Sequence, residues 1–387
     1  MTDRDYNPSS THPPLPPTSE DEQFSRLRLL RSRRVGITTY KRLLTEHGTA
    51  QNALAALPEV ARAAGVDKYE VCPESVIHAE LHAAKAAGAR LVMERTEAYP
   101  ELLTTIEDAP PFLWIIGDSE LLKTRMISIV GARNASSLGT RMARKLARDL
   151  GASGYTIVTG LARGVDAAAH DAALSTGTLA VLAGGVDTVY PAENADLCRT
   201  IAEKGLLVSE QPMGLQPLAR HFPSRNRIIS GLSRATVIVE AAAKSGSLIT
   251  ARDALDQGRD VLAVPGNPFD ARAAGCNQLI REGATLVRSA QDVIETLAPL
   301  HQDETELPST KHQPEPVEPA NKKRKKALSE VAALHRQILS RLSPAPVAED
   351  QLIRDLAVPA SEAAPALLDL ELDGQIKRQS GGMISRE

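Results

Sequence analysis

Between Met126 and Val287 the chain carries a series of short apolar runs separated by segments of helical periodicity, and this alternation constrains the fold more than any other feature. The runs are Ile127–Gly131, Thr156–Gly160, Leu179–Gly184, Leu206–Glu210, Ala235–Glu240, Asp260–Pro265 and Thr285–Val287. Three to six residues is strand length, too short for a buried helix. Helical spacing falls near 137–152, 164–175, 192–203, 246–257, 272–282 and 290–298. Strands alternating with helices specify an α/β fold: a doubly wound, mostly parallel sheet. In such sheets the ligand crevice is lined by loops at the carboxyl ends of the strands.

Those loops carry the candidate site residues. After the first run comes Gly131-Ala132-Arg133-Asn134-Ala135-Ser136, which is not a dinucleotide fingerprint and has no acidic residue about twenty positions on to hold a ribose. The loop is expected to offer amides and a helix N-terminus to an anion, with Arg133 as a bidentate fork. The competing structural reading makes Gly131 a tight turn and Arg133 a salt-bridge partner. Gly160-Leu161-Ala162-Arg163-Gly164 repeats the device, two glycines bracketing Arg163. Gly184-Gly185 keeps side chains out of a third loop, and Lys244-Ser245-Gly246-Ser247 opens a helix with amides, hydroxyls and a point charge.

Between Gln211 and Val239 there is no Asp or Glu, yet Arg220, Arg225, Arg227 and Arg234 are present, so positive charge there is local and unopposed. The segment from Phe222 through Arg225, Asn226 and Arg227 is read as a loop of the pocket. Asp166 and His170 stand i, i+4, but no nucleophile or metal set accompanies them; a helix cap and a histidine packed on the sheet are expected. Repetition of Arg133, Arg163, Arg225, Arg227 and Lys244 around one crevice suits a polyphosphate chain, and single-stranded nucleic acid is the natural candidate.

The net charge of −3 with 24% charged residues means that such binding must come from clustered charge, not from the total. Aromatics make up only 3%, so base stacking cannot be a repeated device, and Phe222 and Tyr190 gain individual weight. Cys72, Cys198 and Cys276 lie far apart without a C-x-x-C, suggesting neither disulfides nor zinc and fitting a reducing cytoplasm. No apolar run reaches about 18 residues, so membrane insertion is not expected.

Residues 1–23, rich in Pro, Ser and Asp, are expected to be a disordered tail. Residues 24–95 read as a small helical domain whose Val35-Gly36-Ile37 centre resembles a helix-hairpin-helix turn, with packing favoured over DNA contact. His78 and His82 have metal-ligand spacing but no third ligand, and are read as solvated. Residues 96–300 form the main domain, entered through a docking loop and a short strand at Phe112–Gly117. Residues 301–328, with Lys322-Lys323-Arg324-Lys325-Lys326, read as a flexible linker. Residues 329–387 read as a winged helix, whose expected recognition helix, 361–372, has acidic and small residues and no Lys or Arg. That composition argues for packing or protein contact over DNA.

Taken together, Ile129-Val130-Gly131-Ala132-Arg133, Thr159–His170, Gly184–Pro191 with Asn194, Phe222–Ser233, Glu240–Ala251 and Val264-Pro265-Gly266 resemble the DprA/Smf family of bacterial DNA-processing proteins. The resemblance spans nearly the whole folded chain. It implies an extended Rossmann-like domain, flanked by the helical and winged-helix domains, that binds single-stranded DNA, dimerises and helps load the RecA recombinase during natural transformation, with no cofactor and no enzymatic step. Carried over, Arg133 and Lys244 become backbone contacts, the Phe222–Arg227 segment part of the pocket, and Asn277–Leu286 a homodimer surface. Ala132 stands where many members have a serine. A competing reading is a nucleotide-processing hydrolase of the related phosphoribohydrolase group, whose P-G-G-x-G-T loop is echoed by Gly184–Thr188 without the terminal Gly-Thr.

Overall fold

A computed structural model of the chain describes residues 20–302 and, further on, 334–335, 337–342, 347–356, 363, 366–367, 370–371, 375–379 and 383–386. Two compact units divide at Glu306/Leu307. Residues 1–19 of the expected tail, the expected linker from 303 on and much of the expected recognition helix lie outside the described residues.

The first unit opens with α1 (Glu20–Arg31), α2 (Ile37–His47), α3 (Ala50–Ala63) and α4 (Glu74–Ala86). Helix α1 begins inside the segment expected to be tail. Glu20, Asp21 and Glu22 in its first turn complement the helix N-terminus, and Glu22 also accepts from the backbone N–H of Ala50 at 3.2 Å.

A nine-stranded sheet follows: β1 (Arg90–Met93), β2 (Phe112–Gly117), β3 (Met126–Gly131), β4 (Thr156–Thr159), β5 (Thr178–Val181), β6 (Leu206–Ser209), β7 (Ala235–Val239), β8 (Asp260–Ala263) and β9 (Thr285–Leu286). Its order is β1-β2-β6-β5-β4-β3-β7-β8-β9. Strands β3 to β9 pair in parallel, and β1 and β2 add an antiparallel edge beyond β6. This is the Rossmann-like sheet the apolar runs specify, with β1 not foreseen. The chain winds outward from β3 through β4, β5 and β6, then crosses back to place β7 on the other side of β3. The order therefore reverses between β4, β3 and β7, and a crevice opens there.

The helices of this domain are α5 (Glu101–Thr104), α6 (Ser137–Ala152), α7 (Val165–Ala173), α8 (Ala195–Lys204), α9 (His221–Gly231), α10 (Ser247–Asp256), α11 (Ala274–Arg281) and α12 (Ala290–Gln302). Strand periodicity sorts the core. On β3, Ile127 and Ile129 face α6, α7 and α12, while Met126 and Val130 face the layer of α9, α10 and α11. The α1–α4 bundle covers the far end of the sheet: Trp114 Nε1 donates to Glu80 at 2.8 Å, and Glu80 is held by Arg31 at 2.8 Å. Phe112 meets Tyr40 edge-on at 6.1 Å.

Helix α9 corrects the reading of Phe222–Arg227 as a loop. Pro223 lies in its first turn, where a missing N–H costs nothing, and Ile228, Ile229 and Leu232 bury its inner face.

The second unit contains β10 (Val347–Ala348), α13 (Glu349–Leu356), β11 (Ile376–Gln379) and β12 (Met383–Arg386). The three strands form an antiparallel sheet whose hairpin is the wing of a winged-helix domain. Its core joins Ile338, Leu352, Leu367, Leu370, Ile376 and Ile384. Among the described residues of the expected recognition helix, Ala363, Ala366, Leu367 and Leu370 are buried, so that stretch packs inward.

Candidate nucleic-acid interface

The crevice at the switch point comprises two adjoining cavities, of 380 and 610 Å³, which share Arg133, Ala162, Phe222 and Arg225 in their walls. The smaller is bounded by Tyr190, Pro191, Arg163 and Gly184. The larger is bounded by Asn226, Lys244, Ser245, Gly246 and Arg272. The loops after β3, β4 and β7 thus meet the start of α9.

Arg133 is exposed, with its guanidinium carbon 5.2 Å from the centroid of the Phe222 ring. That distance is within cation–π range, and the ring in turn lies 5.6 Å from Tyr190. Arg133 makes no ion pair among the described residues, and neither does exposed Lys244 on the loop after β7. Arg163, 64% exposed, approaches Glu193 at 3.7 Å, a loose surface pair. Arg272 also reaches the crevice, but Asp270 holds it at 2.9 Å.

Two of the expected arginines do other work. Arg225 is buried beneath the crevice: it donates to the Val181 carbonyl, and its Nε donates to Asn226 Oδ1 at 3.2 Å. Burial lowers its pKa to about 10 against the opposing pull of Asp166, so it stays charged. Arg227 turns to a different surface, where it pairs with Asp108 at 3.0 Å and Glu210 at 2.5 Å. Helical geometry explains this: on α9 residues 225 and 227 point about 200° apart. Along α9, Phe222, Pro223, Arg225, Asn226 and Ile229 line the crevice, and Arg227 does not.

The expected glycine gaps are mostly filled by protein. A Cβ on Gly131 would lie 1.9 Å from the Val239 carbonyl oxygen, and one on Gly160 would lie 2.7 Å from Arg225 and Asp166. Gly164, at φ 77°, lets the loops after β3 and β4 interlock; its Cβ would meet the Ala132 carbonyl at 2.3 Å. A Cβ on Gly184 would meet the Leu215 carbonyl at 2.5 Å, so this glycine admits the chain's own backbone while also bordering the smaller cavity. By contrast, Gly246 at the start of α10 faces open space. Beside it, Ser245 and Ser247 share a hydroxyl hydrogen bond of 2.6 Å.

The helix N-terminus after β3 is also occupied. Glu240 accepts from the Ser136 N–H at 2.8 Å and from the Ser136 hydroxyl, whose oxygen accepts from Gly139 N–H at 3.0 Å. The anion seat expected there is taken by a carboxylate. In the sequence, Glu240 ends an apolar run and opens a motif of the family resemblance, but nothing marks Ser136 as its partner.

Asp166 and His170 are both buried. Asp166 accepts from Ala162 N–H at 3.2 Å, and burial raises its pKa. His170 bridges the Gly160 carbonyl and Thr178 Oγ1, both at 2.6 Å. The carbonyl can only accept, so Nε2 carries the proton and Nδ1 accepts from Thr178. Burial lowers the His170 pKa to about 4. It is a neutral strut between β4 and β5. Among the described residues no group of three or more His, Cys, Asp or Glu could hold a metal, and no helix is long and apolar enough to cross a membrane.

The fold and site define a Rossmann-like protein with a cationic, aromatic-flanked crevice at its switch point. The chain belongs to the family of DNA recombination-mediator protein A, whose model matches residues 90–298. A DprA-like N-terminal HHH domain matches residues 20–83, and a DprA winged helix domain matches residues 322–382. Protein Smf of Escherichia coli is 36% identical over 316 residues, 81% of each chain. The X-ray structure of DNA processing protein A from Streptococcus pneumoniae is 35% identical, covers 71% of this chain and 96% of its own, and superposes with a TM-score of 0.58. A structure of DNA processing protein A from Helicobacter pylori, described for its single-stranded DNA binding mode, is 30% identical, covers 55% and 96%, and has a TM-score of 0.51.

Proposed function

We propose that this chain binds single-stranded DNA along the crevice and, as a cytoplasmic homodimer, helps load the RecA recombinase onto it. The observation that carries the DNA reading is the placement of Arg133 over Phe222, with Lys244 on the adjoining loop. Two cations with no ion-pair partner among the described residues supply backbone contacts, and the ring pair Phe222–Tyr190 supplies a face on which bases stack. A duplex hides its base faces, so stacking favours the single strand. The Helicobacter pylori relative, described for single-stranded DNA binding, supports the same reading. RecA loading rests on family membership. The proposed dimer face, Asn277–Leu286, includes the end strand of the sheet, with Leu286 exposed.

The test is a salt titration of single- and double-stranded oligonucleotide binding, using the wild type and the Arg133→Ala/Lys244→Ala double variant. Preference for single strands, a steep salt dependence and a loss in the variant are expected. Equal binding by a folded variant would overturn the assignment of this crevice and return the small-nucleotide hydrolase to consideration, tested by product chromatography.

A further inference from the structure

Glu240 stands directly after β7, at the reversal of strand order, and adopts φ 55°. A side chain other than glycine rarely holds that conformation unless its surroundings impose it. Here they do. Oε2 takes the Ser136 N–H at 2.8 Å, Oε1 takes the Ser136 hydroxyl, and the first turn of α6 is hollowed to admit the carboxylate. A Cβ on Gly139 would sit 2.4 Å from the Glu240 carboxyl carbon.

The position matters because of the topology. The turn after β3 and the N-terminus of α6 form the first βα turn at the switch point, the place where dinucleotide-binding sheets seat a pyrophosphate. In this chain a carboxylate from the neighbouring strand fills that seat and uses its amide. We propose that Glu240 is a specificity determinant: it excludes terminal di- and triphosphates, so that the crevice accepts the singly charged phosphodiesters of a strand and rejects free nucleotides. This deepens the single-stranded DNA reading above and rests on it.

A multiply charged phosphate gains from a helix N-terminus only if the amides are free and no fixed anion stands there. A phosphodiester strand runs past the mouth of the crevice, where Arg133 and Lys244 are exposed, and needs neither. A purely structural cap would differ in its consequences: removing it would lower stability and open no new site.

The test compares wild type, Glu240→Gly and Glu240→Gln in two assays, calorimetric titration with inorganic pyrophosphate and anisotropy with a thymidine oligonucleotide. Glycine takes φ 55° without strain and vacates the seat; glutamine keeps the shape and removes the charge. Expected is at least about a tenfold gain in pyrophosphate affinity for Glu240→Gly, where tenfold corresponds to about 1.4 kcal/mol, and a smaller gain for Glu240→Gln. Oligonucleotide affinity should change by less than about threefold. Absence of any pyrophosphate gain in a folded variant, with oligonucleotide binding intact, overturns the proposal. Failure of the wild type to bind the oligonucleotide at all overturns the DNA reading instead. Should Glu240→Gly not fold, Glu240→Gln alone decides by the same criterion.

Discussion

The guanidinium of Arg133 lies over the ring of Phe222 at 5.2 Å, so one wall of the crevice presents a charge and an aromatic face as a single unit. The two residues come from different parts of the sheet's winding, the loop after β3 and the first turn of α9. Their meeting is a product of the crossover that brings β7 beside β3.

Substitution separates the two contributions. On the proposed binding mode, Arg133→Ala is expected to remove about one phosphate contact, and the slope of log affinity against log salt to become shallower by about 1. Phe222→Ala removes a stacking surface worth about 1–3 kcal/mol and leaves the slope unchanged. Fluorescence anisotropy across a salt series distinguishes them. A slope change in Phe222→Ala equal to that in Arg133→Ala would contradict this division.

Arg227, in the same acid-free stretch, is expected to behave differently. Its side chain is 11% exposed and bridges Asp108 and Glu210, whose own side chain is 14% exposed. Arg227→Ala leaves Glu210 buried without its counterion, a loss of about 3 kcal/mol in folding stability. Denaturant unfolding measures this, and the salt slope of DNA binding by the folded variant should match wild type. A shallower slope would put Arg227 back among the phosphate contacts.

Arginines 225 and 227 also show where sequence reasoning stops. The parallel sheet was legible because apolar runs of strand length alternate with helical spacing, and the loops at strand ends locate the crevice by topology alone. The positions of Arg133 and Lys244 beside the crevice follow from that. What composition cannot give is side-chain direction: Phe222–Arg227 reads as a cationic loop until helix α9 sends residue 225 inward and residue 227 away. The glycines posed the same difficulty. A glycine marks close approach, but whether the approaching group is a ligand or the Val239 carbonyl depends on contacts far apart in sequence. The role of Glu240 was invisible for the same reason, its partner Ser136 being 104 positions away.

Stability should fall on mild acidification because of His170. Its pKa is about 4 in the folded chain, where burial disfavours the charged ring, against 6.5 for an unperturbed histidine. Between those values the unfolded chain binds more protons than the folded one. The contribution is therefore fully present above about pH 6.5, and it declines as the pH falls toward about 4, by about 3 kcal/mol in the limit. Thermal unfolding of wild type and His170→Gln over this range tests it. The glutamine variant should be less stable at neutral pH, having lost a strut, yet show a flatter acid limb. Parallel profiles for the two proteins would remove His170 as the source.

Two glycines on either side of the crevice are expected to respond in opposite ways. At Gly164, φ is 77° and the Ala132 carbonyl lies 2.3 Å from any added Cβ. With ψ at −118°, Gly164→Ala incurs about 1–3 kcal/mol from the dihedrals alone, with the backbone clash in addition, and should lower the unfolding midpoint. At Gly246, φ is −61° and nothing lies within 4 Å of an added Cβ. Gly246→Val should fold with stability within about 0.5 kcal/mol of wild type. It does, however, place a branched side chain over the start of α10 beside Lys244, where a DNA backbone would approach the helix amides. Oligonucleotide affinity should accordingly fall in a protein of normal stability. If Gly246→Val binds single-stranded DNA as wild type does, the start of α10 is not a contact, and the strand must be held by Lys244 through its side chain alone.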